Sequence, residues 1–425
     1  MSFSLIQPIN ENESINDSIF WGADSDNTGK TNFKYVFDVL NGSGQLLIRS
    51  KIYPEPNNTR GFFDVSSVLR NELDLDFIET PGNYQGPLVV KQLNKFNNIQ
   101  LEYTIQAGEE YNEAYSGVTT LNMASGTAYA YNYVPNLWKR QDPYYFTELS
   151  NKYLTNRPKK IRVNFDYNDF QNVTQWEQIL IGLNSYNIET DGKFYLMLNT
   201  YDSNDNLLVQ SYYQAYDGNE YISTSLSNYV QIDISPYNIN LNAELTGSIN
   251  NNTAYYDVQI LDGYYNVCDS IRVYIDKCKG NYPIYNLHFM NSLGMFDTAR
   301  FTCVDKLQMQ VTRKSFNKKD VIFKSGFGGL IPSYDNDYKL NETKINYGQN
   351  IEHTLKLTMD FPTDEEYEWL SELFYSPLIY LNHENKYYPI TIKNTNYDYI
   401  KRISSKLKTL EIDVELNLKR NAIKR

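Results

Sequence analysis

The sequence predicts a mainly β protein: two tandem β-sandwich (Ig-like) domains followed by a small α+β domain with a mostly antiparallel sheet. Three observations lead to this prediction. The chain has 425 residues, which is enough for several cores, and aromatic residues make up 15% of it, including 39 Tyr. Short apolar runs separated by turn residues recur along its first two thirds, and a strongly alternating run closes it.

A pair of similar segments predicts the same hairpin twice. FKYVFDVLNGSGQLLIRS, residues 33–50, aligns without a gap to FYLMLNTYDSNDNLLVQS, residues 194–211. In each segment alternating apolar residues lead into an Asn, Asp, Gly or Ser turn and then into a second apolar run. This pattern is typical of a β-hairpin.

Two further pairs of segments follow in the same order. GFFDVSSVL from Gly61 matches VQIDISPYNI from Val230, which aligns Asp64 with Asp233, and LEYTIQAGEEY matches AYYDVQILDGYY, which aligns Tyr103 with Tyr256. Three ordered matches favour a duplicated β-sandwich, with domains at 1–118 and 161–280. The alternative is that two β domains rich in Tyr and Asn resemble each other by composition alone.

Residues 119–160 contain small residues and turn formers without a clean period, which predicts a connecting arm. Its many aromatic residues favour packing on a neighbouring subunit. The candidate interface residues are Tyr131, Tyr133, Trp138, Tyr144 and Tyr145. The alternative is a loop that covers its own sandwich.

Residues 281–425 form the predicted α+β domain. A tight turn is expected at Asn291 to Gly294 between two strands. Thr363 and Glu366 have the spacing of a capping box and predict a helix that ends at Ser376. LEIDVELNL, from Leu410 to Leu418, alternates strictly and predicts a strand with one buried face.

The residue patterns of the sequence argue against an enzyme. The formal net charge of −12 is the wrong sign for a nonspecific nucleic-acid binder, and three Cys are too few for a disulfide framework. The three His lack metal-ligand spacing, and no nucleotide-binding or nucleophile motif occurs. No secretion signal or membrane span is predicted. We therefore expect no catalytic residues, no cofactor and no metal.

One segment resembles the opening of a calcium-binding loop. Asp24, Asp26 and Thr28 occupy the first ligand positions, but Tyr35 stands where the closing Glu is required. The pattern favours a turn, with a bound cation as the alternative.

Three short motifs carry a family resemblance. They lie at 61–69, 108–111 and 291–298, and their distinctive residues are Gly61, Asp64, Gly108, Glu109, Asn291, Gly294, Phe296 and Asp297. In this order they resemble virion proteins of tailed phages that infect Bacteroidetes, most of all the tail or connector components of crAss-like phages. The second copy, at 230–239, departs from the pattern because it lacks the Gly and the double Phe.

The resemblance implies a structural ring subunit around the DNA channel of a phage tail. Such a protein would form a cyclic homo-oligomer, with twelve-fold symmetry as one option, and would bind other tail proteins. It would contact DNA only as passing cargo, would contact no membrane, and would be assembled in the host cytoplasm into the virion tail. The alternative function is a glycan-binding adhesin or tail-spike module whose exposed Tyr and Trp stack on host surface polysaccharide.

Overall fold

The structure is a computed structural model. It describes residues 3–8, 12–73, 89–92, 100–113, 116–134, 153, 155–165, 179–184, 194–216, 229–241, 245, 247–277, 283–302, 306–317, 322–326, 329–333, 344–360, 363–383, 386–393 and 409–416. The described chain is mainly β, as predicted, and its strands pair largely in antiparallel fashion.

The N-terminal third forms a five-stranded and a three-stranded sheet, which we call the first sheet pair. The larger sheet has the order β2-β9-β8-β4-β5 and the smaller β1-β3-β6. The strands are β1 (Phe3–Ile6), β2 (Asn12–Ser14), β3 (Phe20–Ser25), β4 (Lys34–Asn41), β5 (Leu46–Ile52), β6 (Gly61–Asp64), β8 (Gln100–Glu113) and β9 (Ser116–Tyr131). Helix α1 (Ser66–Arg70) follows β6.

The central third, together with one strand from residues 89–92, forms the second sheet pair, and its larger sheet repeats the strand order of the first. Its larger sheet has the order β10-β16-β15-β12-β13 and its smaller β11-β14-β7. The strands are β7 (Val89–Gln92), β10 (Lys160–Asn164), β11 (Leu180–Asn184), β12 (Phe194–Tyr201), β13 (Leu207–Tyr216), β14 (Tyr229–Asp233), β15 (Tyr255–Leu261) and β16 (Val267–Asp276). Helix α2 (Pro236–Leu241) follows β14.

The C-terminal third is a seven-stranded sheet with the order β18-β17-β23-β24-β25-β22-β19, together with a small hairpin of β20 and β21. The strands are β17 (Tyr285–Met290), β18 (Phe296–Phe301), β19 (Lys306–Asn317), β20 (Ile322–Gly326), β21 (Gly329–Ser333), β22 (Lys344–Asp360), β23 (Ile379–His383), β24 (Lys386–Ile392) and β25 (Thr409–Leu416). Helices α3 (Asp364–Leu370) and α4 (Glu372–Tyr375) precede β23.

Each third has a hydrophobic core of its own among the described residues. In the first sheet pair Trp21 of the small sheet packs in one cluster with Phe37 and Ile105 of the large sheet. In the second, Ile181 and Ile232 of the small sheet share a cluster with Leu198 and Val258 of the large one. Face-to-face packing of two sheets therefore buries the apolar side of each.

The C-terminal predictions agree well with the structure. Thr363 caps α3 by accepting a hydrogen bond from the Glu366 backbone N–H at 3.1 Å, while the Glu366 carboxylate accepts one from the Thr363 backbone N–H at 2.8 Å. The helix is interrupted at Ser371, so α3 and α4 replace the single helix that was expected. In β25 the apolar residues Leu410, Ile412 and Val414 are buried, as the alternation predicted.

The predicted arm at 119–160 needs correction at its start. Residues up to Tyr131 belong to β9, which pairs with β8 as far as the Gln100–Tyr131 pair. The sequence hid this strand because Ala, Gly, Ser and Thr give no apolar alternation, while their small size suits a closely paired strand. Part of the predicted first domain is also shared, since β7 pairs with β14 of the second sheet pair.

The third predicted alignment is offset by two residues. Ile105 pairs with Val39 near the end of β4, and the equivalent pair at the end of β12 is Tyr256 with Thr200. Ile105, rather than Tyr103, therefore occupies the place of Tyr256. A shift of two residues keeps every side chain on the same face of the sheet, so the buried pattern is preserved.

Candidate functional site

The turn between β17 and β18 lies at a junction of all three parts of the chain. The side-chain oxygen of Asn291 accepts hydrogen bonds from the backbone N–H groups of Leu293 and Met295, each at 3.0 Å. Gly294 has a φ of +82°, which most residues avoid, and its N–H donates to the Asn291 carbonyl at 3.1 Å. The turn predicted at these residues is therefore confirmed.

Hydrogen bonds join this turn to each neighbour. The Val134 N–H, just after β9, donates to the Ser292 carbonyl at 2.7 Å. On β14, the Gln231 side chain donates to the Phe296 carbonyl at 3.1 Å and accepts from the Phe296 N–H at 3.2 Å. Gln231 thus acts as an extra strand partner and ties the second sheet pair to β18.

Asp297 is the most deeply buried acid of the junction, with no exposed surface. Its Oδ2 accepts hydrogen bonds from the Thr155 hydroxyl at 2.6 Å and from the Trp369 indole N–H at 2.9 Å. Arg157 lies over the Trp369 ring at 4.9 Å. Burial raises the pKa of Asp297 to about 6, and the hydrogen bonds from Thr155 and Trp369 partly oppose this rise.

Glu372 is the second buried acid of the junction. Its carboxylate accepts from the Ser292 backbone N–H at 2.9 Å, the Ser292 hydroxyl at 3.0 Å and the Asn156 amide at 2.7 Å. Burial raises the pKa of Glu372 as well. This carboxylate fixes the turn, the segment before β10 and helix α4 in one network.

His288 on β17 is another buried titratable group here. Its Nδ1 lies 2.9 Å from the Thr298 hydroxyl, and burial lowers the pKa of the imidazole to about 3. A carboxyl group with a raised pKa and a neutral imidazole are a common acid–base combination in active sites. His288 and Asp297 are nevertheless both fully enclosed, so a substrate has no access to them.

The motif residues of the first sheet pair also have structural positions. A Cβ on Gly61 would come within 2.4 Å of the Tyr35 ring, so only glycine fits. The Asp64 Oδ1 accepts from the N–H groups of Ile19 at 3.1 Å and Ser66 at 3.0 Å. Burial acts to raise the pKa of Asp64, but these hydrogen bonds outweigh it and the pKa is lowered. Gly108 pairs with Val36 inside the sheet.

Glu109 is buried and contacts the loop that resembles a calcium site. Its two oxygens accept from the Ser25 hydroxyl and the Asn27 amide, each at 2.6 Å. Asp24 instead forms an ion pair with Arg60 at 3.2 Å. Among the described residues no cluster of three or more His, Cys, Asp or Glu could hold a metal ion. Hydrogen bonds from Ser25 and Asn27 to Glu109 hold the loop in place.

The predicted interface residues divide into two groups. Tyr131 and Tyr133 are only 8% and 7% exposed, so the packing of the chain itself accounts for their burial. Trp138, Tyr144 and Tyr145 lie outside the described residues.

The outer face of the second sheet pair carries tyrosines that the sequence analysis did not place. Leu196, Leu198 and Thr200 of β12 point into the core, so Tyr195 and Tyr201 point outward. Tyr195 stacks on Tyr265 at 4.5 Å, and Tyr201 stacks on Tyr255 at 4.9 Å. The alternation of Tyr with core residues along β12 was the available signal.

Exposed apolar side chains also mark particular strands. The described residues of this kind with large exposure on β5, β13 and β19 are Leu46, Ile48, Leu207, Leu208, Tyr212, Leu307, Met309 and Phe316. β5, β13 and β19 are each the last strand of their sheet within the described chain. An exposed edge strand with apolar side chains offers both backbone hydrogen bonds and apolar area to a partner.

Comparisons with known proteins add no family assignment: no family model matches the chain, and a search of curated proteins found no match. In the described part of the chain, no helix has both the length and the apolar character needed to cross a bilayer.

Proposed function

We propose that the chain is a structural component of a bacteriophage virion, a tail or connector ring subunit of the crAss-like kind that assembles around the DNA channel. The observation that carries the proposal is the distribution of reactive and apolar groups. Asp297, Glu372 and Glu109 are buried and held by the chain's own donors, whereas apolar side chains are exposed along edge strands. This is the arrangement of a protein that binds other chains.

The proposal includes two tandem sandwiches of the immunoglobulin-like kind that arose by duplication. Two corresponding acids support it. Asp233 accepts from the N–H groups of Ile179 at 3.2 Å and Ser235 at 3.0 Å, just as Asp64 accepts from those of Ile19 and Ser66. Each acid links the end of one strand to the residue before its neighbour and to the helix that follows. Such a detailed match is difficult to explain by composition.

The charge of the chain suits the same function. A net charge of −12 repels a nucleic acid backbone, so DNA passes a ring of such subunits without being bound. The ring would be cyclic and would contact other tail proteins at its two ends.

Mass spectrometry of purified phage particles tests the proposal. The chain should be present in several copies per particle, in a fixed ratio to the other tail proteins, and should remain after washing in high salt. Absence of the chain from the particles would rule out a virion component.

A second candidate function is glycan binding, and the tyrosine face of the second sheet pair favours it. Tyr212 is 50% and Tyr265 57% exposed, and their rings lie 6.3 Å apart in an edge-on arrangement. Exposed tyrosine rings can stack on sugars. A glycan array with the full chain tests this function: binding that is lost in Tyr265→Ala would support it, and no binding to any surface polysaccharide would exclude it.

A further inference from the structure

Strand β19 extends beyond the rest of its sheet. Its neighbour β22 also pairs with β25, but only from Thr354 to Asp360, whereas β19 continues along β22 to the pair Asn317–Lys344. Among the described residues, most of β19 therefore pairs with β22 alone, as one strand of a two-stranded ribbon. A two-stranded ribbon is marginally stable in water by itself, so further contacts are needed to hold its shape.

The side chains of β19 are exposed on both faces of the ribbon. Within β19 only Val311 and Ser315 are half-buried, and every other residue is exposed. Leu307 and Met309 are each 63% exposed. A strand that presents apolar side chains and a backbone edge together is a site for pairing with another strand.

The charge of β19 restricts the choice of partner strand. Lys306, Arg313 and Lys314 are basic and exposed, and the strand has no acidic residue, although the whole chain carries −12. The preferred partner is thus a strand that is uncharged itself and lies near acidic groups.

The edge strands of the two five-stranded sheets differ in this respect. β10 carries Lys160 and Arg162, which would repel β19. β5 carries Arg49 and Lys51, which are already paired with Asp38 and Glu110, and the turn before it, residues 41–45, contains no acid that could attract β19. β2 has only three residues. β13 has no charged residue.

The surroundings of β13 complete the match. Asp202 and Asp205 lie in the exposed turn that precedes it, and hydrogen bonds from Asn206 lower the pKa of Asp202, which keeps this acid charged. On β13 itself Leu207 is 52% and Tyr212 50% exposed. The strand therefore combines apolar area with an acidic end.

We infer that β19 of one copy pairs along β13 of a second copy of this chain. The inference deepens the proposed function and rests on it, because it names the surfaces by which ring subunits contact one another. The two strands are different surfaces of the same chain, so the contact is head-to-tail and each copy can bind two neighbours. A rotation between neighbours that divides the full circle evenly, with no rise along the axis, closes a ring.

Cross-linking between two single-site variants of the full chain tests the contact. Leu208→Cys protein is mixed with Met309→Cys protein, oxidised mildly and separated without reductant, with the parent chain as the background for its native cysteines. We expect a heterodimer in the mixture at least tenfold above the level of either variant alone. Ile48→Cys on β5, which is 39% exposed, is the matched control and should give none with Met309→Cys.

Charge substitution gives an independent measurement. Leu307→Glu together with Met309→Glu should weaken self-association at least tenfold in sedimentation, with unchanged melting because both sites are exposed. Leu46→Glu on β5 should leave the association unchanged. Assembly that persists in the double variant, or a heterodimer with Ile48→Cys instead, would overturn the β13 contact while leaving the ring function intact.

The possible outcomes distinguish failure of the β13–β19 contact from failure of the proposed ring function. A chain found in particles but giving no cross-link between positions 208 and 309 refutes only this contact. A chain that is absent from particles refutes the ring function, even if the cross-link forms. A third outcome is a parent chain that does not self-associate, together with glycan binding at Tyr212 that the double variant Leu307→Glu, Met309→Glu retains. This outcome would assign the surface to a sugar and refute the inference.

Discussion

The two sheet pairs share an arrangement of strands, which we call the frame, and differ in the side chains on the outer face of the large sheet. Their large sheets have the same strand order, and the equivalent strands β6 and β14 each end in an acid that accepts the same two backbone hydrogen bonds. Their outer faces diverge: the first presents polar residues such as Thr104 and Thr127, which contact each other at 3.0 Å, and the second presents stacked tyrosines. The frame specifies the fold, and the outer face is free to specify the partner.

An ion pair on each outer face makes the divergence clear. Arg49 contacts Asp38 on the first sheet pair, and Arg272 contacts Asp257 on the second, in both cases with two hydrogen bonds of 2.7–2.8 Å. In the second pair the guanidinium also lies over Tyr255 at 4.5 Å. The two ion pairs join strands that do not correspond, β4 with β5 and β15 with β16, so each outer face has its own arrangement of charge.

The third strand of each small sheet shows a second difference. In the first pair β1 pairs with the edge of β3 that faces away from β6. In the second pair β7 pairs with the edge of β14 that faces away from β11. Because β3 corresponds to β11 and β6 to β14, the extra strand lies on opposite edges. The second pair is therefore completed by a strand from the earlier sequence, which ties the two together.

The largest expected effect is the loss of stability when Gly61 of the first sheet pair is substituted. Substitution by Val, the residue at the equivalent position 230, should destabilise the chain by about 3 kcal/mol because the Tyr35 ring already occupies the space. Denaturant unfolding measures this cost. Gly29→Ala is the control, since no atom lies within 4 Å of a Cβ there. Equal costs at the two glycines would show that the ring moves aside.

The next effect concerns the junction that both sheet pairs share. Burial raises the pKa of Asp297 from 3.8 to about 6, so the folded chain binds a proton more tightly than the unfolded chain. The stabilisation is complete below pH of about 4 and is lost as the pH rises through about 6. The Asn side chain of Asp297→Asn does not titrate, so this variant does not lose stability in the same way as the pH rises. Its Oδ1 can still accept hydrogen bonds from the Thr155 hydroxyl and the Trp369 indole N–H.

The variant should therefore gain about 2 kcal/mol relative to the parent between pH 4 and pH 7. Denaturant unfolding of both proteins at the two pH values measures the gain. His288 affects both proteins alike, so its opposite pH dependence cancels in the difference. A difference that does not change with pH would show that Asp297 is not buried as described.

An effect of similar size compares the two equivalent acids directly. Asp64→Ala and Asp233→Ala each leave two backbone N–H groups without their acceptor, at a cost of about 2 kcal/mol. Asp233 is more deeply buried, so its substitution should cost more. Thermal unfolding of the two variants measures the order, and the reverse order would show that burial does not set the cost of removing the carboxylate.

The smallest effect on stability is expected at the tyrosine face. Tyr212→Thr gives the second sheet pair a residue typical of the first, and because half of Tyr212 is exposed the change should alter stability by less than about 0.5 kcal/mol. Self-association should nevertheless weaken. A chain that associates as before would place the partner surface elsewhere.

Local patterns predicted much of the fold and little of the junction. The hairpins, the α3 cap and the alternation of β25 follow from short-range rules, and these elements form where they were expected. The β9 strand was missed because its small residues carry no pattern. Gln231 and Thr155 were missed because their partners, Phe296 and Asp297, are distant in sequence and only the fold brings them together.

The most direct test of the account is hydrogen–deuterium exchange of the full chain, compared between dilute and concentrated solution. The account predicts that backbone amides of β13 and β19 become protected as the concentration rises, whereas those of β5 exchange at an unchanged rate. Protection of β5, or no change in β13 and β19 while the chain assembles, would contradict it.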